Sequence, residues 1–357
     1  MNFLPGGIAT GIGSLPFTEP GEAVSVVRKY LPEAPHWPQL PQRGRQEHFV
    51  NQFLRPLVKT GLLCDDGEKI YFCRESPGFD AALTEFYTLY LAFEGGDSSV
   101  LKEFALPAEA AAGFYTFLSS LESEGTGSAL LLKGHVVGPL TVGFQVKDEN
   151  GRFAYYDDML RDLIVKTITL SAVWQVTELS RFGLPVLVFA DDPALGVYGH
   201  SSYITVTREM IEEDLSAVSA QVRSFGGLAG LHCCDAIDWS IPLGLGFDVL
   251  SLDAYNYSHS LLPYPGELEK FLTGGGWLAW GIVPTSQDDI FRETEDSLHN
   301  KLKDVWDQLA GRGVPRDLLA ANCIITPACG LGLLEKEAAE RAYSLTRNLS
   351  RRLREGV

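Results

Sequence analysis

Positive charge is scarce in this chain of 357 residues: 29 Lys and Arg stand against 46 Asp and Glu, a formal net charge of −17. Nucleic acid and anionic membrane surfaces both reward a basic patch, so this acidity argues against either as a partner. Long apolar runs are missing too, and none approaches the ~18 residues that a bilayer-spanning helix needs. The opening MNFLPGGIATG has neither the basic n-region nor the apolar h-region of a secretory signal, and the cytoplasm is the expected location. No low-complexity tract, long linker or fixed-period repeat interrupts the chain. Cysteine is sparse: Cys64, Cys73, Cys233, Cys234, Cys323 and Cys329. A chain of this length buries a core without disulfide staples, so thiols in a reducing compartment are expected to pack, catalyse or bind metal.

What is present is ordinary globular material, 45% hydrophobic and 21% charged. Short apolar, β-branched runs recur, each followed by turn residues and a longer segment of helical period. They are GIATGIG (7–13), KIYFC (69–73), ALLLKGHVV (129–137), PVLVFA (185–190), GLAGLHC (227–233), DVLSLDA (248–254), WLAWGIV (277–283) and NCIITPA (322–328). Unbroken apolar runs bounded by turn residues suit strands buried on both faces of a parallel sheet. Segments such as 153–182, 207–225 and 336–355 carry helical periodicity between or after them. The alternation predicts an α/β fold, a single (β/α)8 TIM barrel over 1–357 with an N-terminal loop or insertion region. The second strand is the weakest of the eight, and 31–66 offers an alternative to it or an insertion.

The sharpest chemistry lies in Leu231-His232-Cys233-Cys234-Asp235. Strand side chains alternate, so His232 and Cys234 share a face and Cys233 points away. An imidazole and a thiolate so placed make half of a zinc site. Cys329, in Thr326-Pro327-Ala328-Cys329-Gly330-Leu331, comes at the same rim of the barrel as a third ligand, and Asp253 offers a carboxylate oxygen. Zinc accepts sulfur, nitrogen and oxygen in a tetrahedron, and three protein ligands with one open position describe a catalytic site. Against this stands the bland reading: a histidine at a strand end often belongs to the rim, a buried cysteine often acts as a small hydrophobe, and Asp253 suits a helix cap. Cys64, Cys73, Cys233 and Cys323 are expected to pack or lie idle.

These residues resemble the catalytic barrel of cobalamin-independent methionine synthase and, more widely, the superfamily it shares with uroporphyrinogen decarboxylase. The matching segments, in order, are Ile12-Gly13-Ser14, Gly138-Pro139-Leu140-Thr141, Asp191-Asp192-Pro193-Ala194-Leu195, His232-Cys233-Cys234 and Pro327-Ala328-Cys329-Gly330-Leu331. The resemblance implies zinc on His232, Cys234, Asp253 and Cys329, with Asp253 standing where the family has the longer Glu. It implies an amino-acid carboxylate against Gly13 and Ser14 and an ammonium against Asp191 and Asp192. It implies a methyltransferase of methionine biosynthesis, moving a methyl group to a thiol such as homocysteine.

The methyl donor is where the family pattern breaks. The family has a histidine after the seventh strand, thought to protonate the departing folate nitrogen, whereas this chain reads Gly281-Ile282-Val283-Pro284-Thr285-Ser286. A folate amine needs that acid to leave and cobalt(I) does not. The absence tilts the expected donor from methyltetrahydrofolate towards methylcobalamin or another methylcorrinoid, free or on a corrinoid protein. Arg43 and Arg45, in a Pro-rich segment 37–45, suit acidic groups of a donor, or else belong to an ordered surface loop. Three alternatives stay open: transfer to a different thiol or carrier, a metal-free decarboxylase, and a non-catalytic barrel.

Overall fold

The computed structural model describes residues 3–203 and 205–355. Ten strands form in chain order: β1 Ile8–Ala9, β2 Leu63–Asp65, β3 Ile70–Phe72, β4 Leu132–Val137, β5 Lys147–Asp148, β6 Val186–Asp191, β7 Leu228–Cys233, β8 Val249–Leu252, β9 Trp277–Val283 and β10 Cys323–Pro327. Seven of them make one parallel sheet in the order β1-β10-β9-β8-β7-β6-β4, with α-helices in the connections except between β7 and β8, where only the short turn Pro242–Gly244 is helical. Seven of the eight expected runs therefore supply its strands.

The expected second strand is the exception. Residues 69–73 pair antiparallel with β2 in a separate three-stranded sheet, β2-β3-β5. A regular eighth strand is absent from the large sheet among the described residues, and a segment around 33–39 lies between β4 and β1 instead. It makes isolated parallel bridges, His36 to Lys133 and Ser14 to Gln39. Lys133 N–H donates to Pro35 O (3.0 Å), Gln39 N–H to Gly13 O (3.1 Å) and Leu15 N–H to Gln39 O (2.8 Å). Pro35, Pro38 and Pro41 explain why no ladder runs through it: each lacks the N–H that a central strand must donate.

Alternation along the strands sorts the inside of the sheet into two levels. At the bottom, Ile8, Leu131, Leu187, Phe189, Leu228, Val249, Trp277, Ala279 and Ile324 close into an apolar plug. Two and four residues further along the same faces the character turns polar: Thr10, Lys133, His135, Asp191, His232, Ser251, Asp253 and Thr326, of which all but Asp191 are buried. Residues on the opposite faces of the strands pack outward against the helices. The long helix Asp158–Ser180 is largely enclosed, and the carboxylate of Asp157 caps its first turn at Met159 N–H and Leu160 N–H. In parallel α/β sheets ligands bind at the carboxyl ends of the strands, and the polar level lies at those ends.

Candidate metal centre

His232 reaches the polar level because β7 enters it from the plug: Leu228, Gly230 and His232 follow one face. Gly230 is required there, since a Cβ would stand 1.7 Å from Phe189 Cδ1. The buried imidazole is held at one edge, Nδ1 lying 2.9 Å from the hydroxyl of Ser251 on the neighbouring β8. Its other nitrogen, Nε2, is buried with no protein partner. Cys234 continues the same face just past the strand. Cys233 points the other way into the apolar layer, where burial pushes its thiol up.

Cys329 arrives from the far side of the sheet. The register of β10 against β9 slips between Thr326 and Pro327, and the chain turns in at Ala328, whose N–H donates to Val283 O at 2.8 Å. Gly281 lets that turn approach: a Cβ would lie 2.5 Å from Leu252 O and 2.8 Å from Ala328 Cα. The loop after Cys329 is tied to the first strand's turn. Leu331 N–H donates to Ser14 O (3.0 Å) and Gly332 N–H to Ser14 Oγ (3.2 Å).

The result is a cluster in which one ligand atom each from His232, Cys234 and Cys329 lies within 4.8 Å of the others. The Cys329 thiol is held down to about 4, first by the hydrogen bond it receives from the Cys234 thiol and next by His232. Cys234 is pushed up in return by donating that bond and by burial. Two sulfurs beside an imidazole nitrogen with no protein partner suit a soft divalent ion such as zinc. The donor set fits the metal.

Asp253 lies outside this cluster. Its oxygens accept from Asn256 N–H (2.8 Å) and Asn256 Nδ2 (2.7 Å), so it caps the short helix Ala254–Tyr257. Asp191 and Asp192 separate sharply. Asp191 ends β6 with Oδ1 buried and unpartnered; burial lifts its carboxyl to about 6 against the pull of His232 and Lys133. Asp192 is spent on the fold, accepting from Leu140 N–H (3.0 Å), Thr141 N–H (2.9 Å) and Thr141 Oγ1 (2.6 Å) at the start of the helix Pro139–Gln145. These contacts occupy the carboxylate that was expected at a substrate ammonium. A Cβ on Gly138 would stand 2.2 Å from the Asp192 carboxyl, so the Gly138-Pro139-Leu140-Thr141 and Asp191-Asp192 segments are two halves of one contact.

Arg43 and Arg45 are likewise turned onto the protein. Arg43 Nε meets the buried Glu47 carboxylate at 2.6 Å and its Nη1 meets Thr18 O at 2.6 Å, while Arg45 Nη1 meets Asp65 Oδ1 at 2.6 Å. Both are paired within the protein, as the ordered-loop alternative expects. Cys64 and Cys73, expected to pack or lie idle, form a disulfide across the β2–β3 hairpin. Cys323 is buried in β10. No helix among the described residues is long and apolar enough to cross a membrane.

Five side chains at this level are not among the residues expected from the sequence: Thr10, Lys133, His135, Ser251 and Thr326. Lys133 is fully buried and donates to Ile12 O at 2.6 Å, with its ammonium 4.5 Å from the centre of the Phe189 ring. A Lys and a His at alternate positions inside the apolar run ALLLKGHVV were the available signal.

No family model matches the chain, and no curated protein matches it. Among solved structures it is similar to a B12-independent methionine synthase from Shewanella sp. W3-18-1 in complex with selenomethionine, at 15% identity, covering 68% of this chain and 67% of that one with a TM-score of 0.48. A likeness at that score carries no argument about substrate or cofactor. Nothing in the comparisons supports methylcobalamin as donor.

Proposed function

We propose that the chain is a zinc-dependent methyltransferase acting on a thiol, with homocysteine as the acceptor that suits the site. The observation behind this reading is the cluster of His232, Cys234 and Cys329, with Nε2 of His232 left free. These three residues would hold the metal. Zinc bound there would supply the Lewis acidity that keeps a fourth, substrate sulfur as thiolate at neutral pH, where a free alkyl thiol with a pKa of about 8.5 is mostly protonated.

The chain's own residues do the rest. Ser251 occupies Nδ1 and so aims Nε2 at the metal position. Asp191 presents a buried, unpartnered oxygen that suits a substrate ammonium. The N–H groups of Gly13 and Ser14 make no hydrogen bond among the described residues, and they suit a carboxylate. Asp253, as a fourth ligand, would have to release Asn256. Homocysteine carries the thiol, the ammonium and the carboxylate together.

The test is metal analysis of the purified protein beside Cys329→Ala, followed by assay of homocysteine methylation with a panel of methyl donors. About one zinc per chain, lost in the variant, and methionine formed only by the wild type are expected. A wild type that binds no zinc when reconstituted, or that holds zinc equally well without Cys329, overturns the reading.

A further inference from the structure

Resting on that reading, we infer that His135 is a specificity residue of the same site and donates a hydrogen bond to the carboxylate of an amino-acid thiol seated against Gly13 and Ser14.

One stacking contact on the imidazole, and hydrogen bonds of Gln175 to the His135 backbone and to Trp37, hold the residue in place before any ligand arrives. Its ring stacks on Trp37 with centroids 3.9 Å apart and planes 18° off parallel. The amide of Gln175 clamps the backbone from both sides, accepting from His135 N–H at 3.2 Å and donating to His135 O at 2.8 Å. The same Gln175 oxygen accepts from Trp37 Nε1 at 2.8 Å, so one side chain sets both rings. The free edge of the imidazole faces Gly13, where a Cβ would come within 2.7 Å of Cε1 and 2.8 Å of Nδ1. Glycine at this position is what lets the ring and the Gly13–Ser14 turn lie together.

The ring is 2% exposed, and both its nitrogens are buried without a partner. Burial, with the Lys133 cation nearby, holds it neutral. A neutral imidazole has one N–H to donate. A donor so rigidly held, with nothing to donate to, is the mark of a group shaped for a ligand. The sign of that ligand follows from the surroundings: Lys133 lies two residues earlier on the same face, and the unbonded N–H groups of Gly13 and Ser14 lie alongside. An anion is favoured here. The carboxylate Asp191 stands further along, opposite Val137. An α-amino acid thus finds its two charged groups met by different strands.

The experiment measures binding of L-homocysteine and of 3-amino-1-propanethiol, which keeps the thiol and amine but has no carboxylate, to zinc-loaded protein by calorimetry. Wild type, His135→Leu and His135→Gln are compared. His135→Leu should weaken homocysteine by about 10- to 100-fold and change the carboxylate-free thiol by less than about twofold, with zinc content unaltered. His135→Gln, which keeps an N–H donor, should recover most of the homocysteine affinity. Equal weakening of both thiols marks a merely structural role and overturns the inference, as does unchanged homocysteine binding in His135→Leu. Because each variant is judged by its ratio between the two thiols, His135→Gln decides the matter if His135→Leu fails to fold. A zinc-loaded wild type that binds neither thiol overturns the proposed function itself, a result distinct from the other two.

Discussion

The hydroxyl of Ser251 on β8 lies 2.9 Å from Nδ1 of His232 on β7 and leaves Nε2 facing Cys234 and Cys329. Cross-strand pairing of the two residues makes this possible, since parallel neighbours in register present side chains at the same height. The contact holds the ring orientation and leaves Nε2 for a metal. Ser251→Ala should therefore lower zinc affinity by about 10- to 100-fold while the protein stays folded. Competition with a chromophoric chelator checks this, and unchanged affinity would remove Ser251 from the site.

Adjacent cysteines should behave as opposites. Cys234 faces the cluster and Cys233 packs among outward apolar residues. Cys233→Ala is expected to keep the full complement of zinc and to cost about 1 kcal/mol of stability, the scale of a small buried truncation. Cys234→Ala should lose the metal instead. Urea denaturation paired with metal analysis separates the two outcomes.

Much of this centre was legible in the sequence because strand alternation is strict. His232 and Cys234 on one face, with Cys329 arriving at the same rim, follow from period two and parallel order alone. The misreadings have local causes. KIYFC has strand composition and is a strand, but the hairpin with β2 claims it. The segment that takes its place beside β4 is interrupted by Pro35, Pro38 and Pro41 and carries no strand periodicity. Arg43 and Arg45 suit acidic ligands by residue type, yet Glu47 and Asp65 meet them first, and no spacing rule discloses such tertiary partners. Asp191 and Asp192 are identical in kind and adjacent. Only the position of the Thr141 helix decides which one is spent on the fold.

A pH dependence should arise outside the His232, Cys234 and Cys329 cluster, at Asp214. Its carboxylate is almost wholly buried against Arg161, 3.1 Å from Nε, and burial lifts it to about 6 from an ordinary 3.8. Between those two values the unfolded chain has released a proton that the folded chain keeps. Stability therefore falls as pH rises through that window and levels off above it, a contribution on the order of 1–3 kcal/mol. Asp214→Asn removes the titration, so the difference in unfolding free energy between pH 4.5 and pH 7 should shift towards the acid-destabilised direction by that amount. Urea titrations of both proteins at the two pH values test it. Parallel pH profiles would show that Asp214 titrates normally in the folded state.

Gly281 makes the most demanding prediction, because it touches no ligand. It stands in β9 where the chain of β10 turns inward, and an added Cβ would meet Leu252 O at 2.5 Å and Ala328 Cα at 2.8 Å. Both are backbone atoms of neighbouring strands, so no flexible side chain can swing aside. The strands must part, and the turn carrying Cys329 must move away from Cys234. Gly281→Ala is expected to destabilise the fold by about 1–3 kcal/mol, the range for overpacking a close contact. It should also weaken zinc binding, although His232, Cys234 and Cys329 are all intact. Gly244→Ala is the control, because a Cβ there meets nothing within 4 Å. Loss of zinc affinity in the first variant and not in the second would tie the metal centre to the approach of the β10 turn; equal affinity in both would mean that Cys329 reaches the cluster without it.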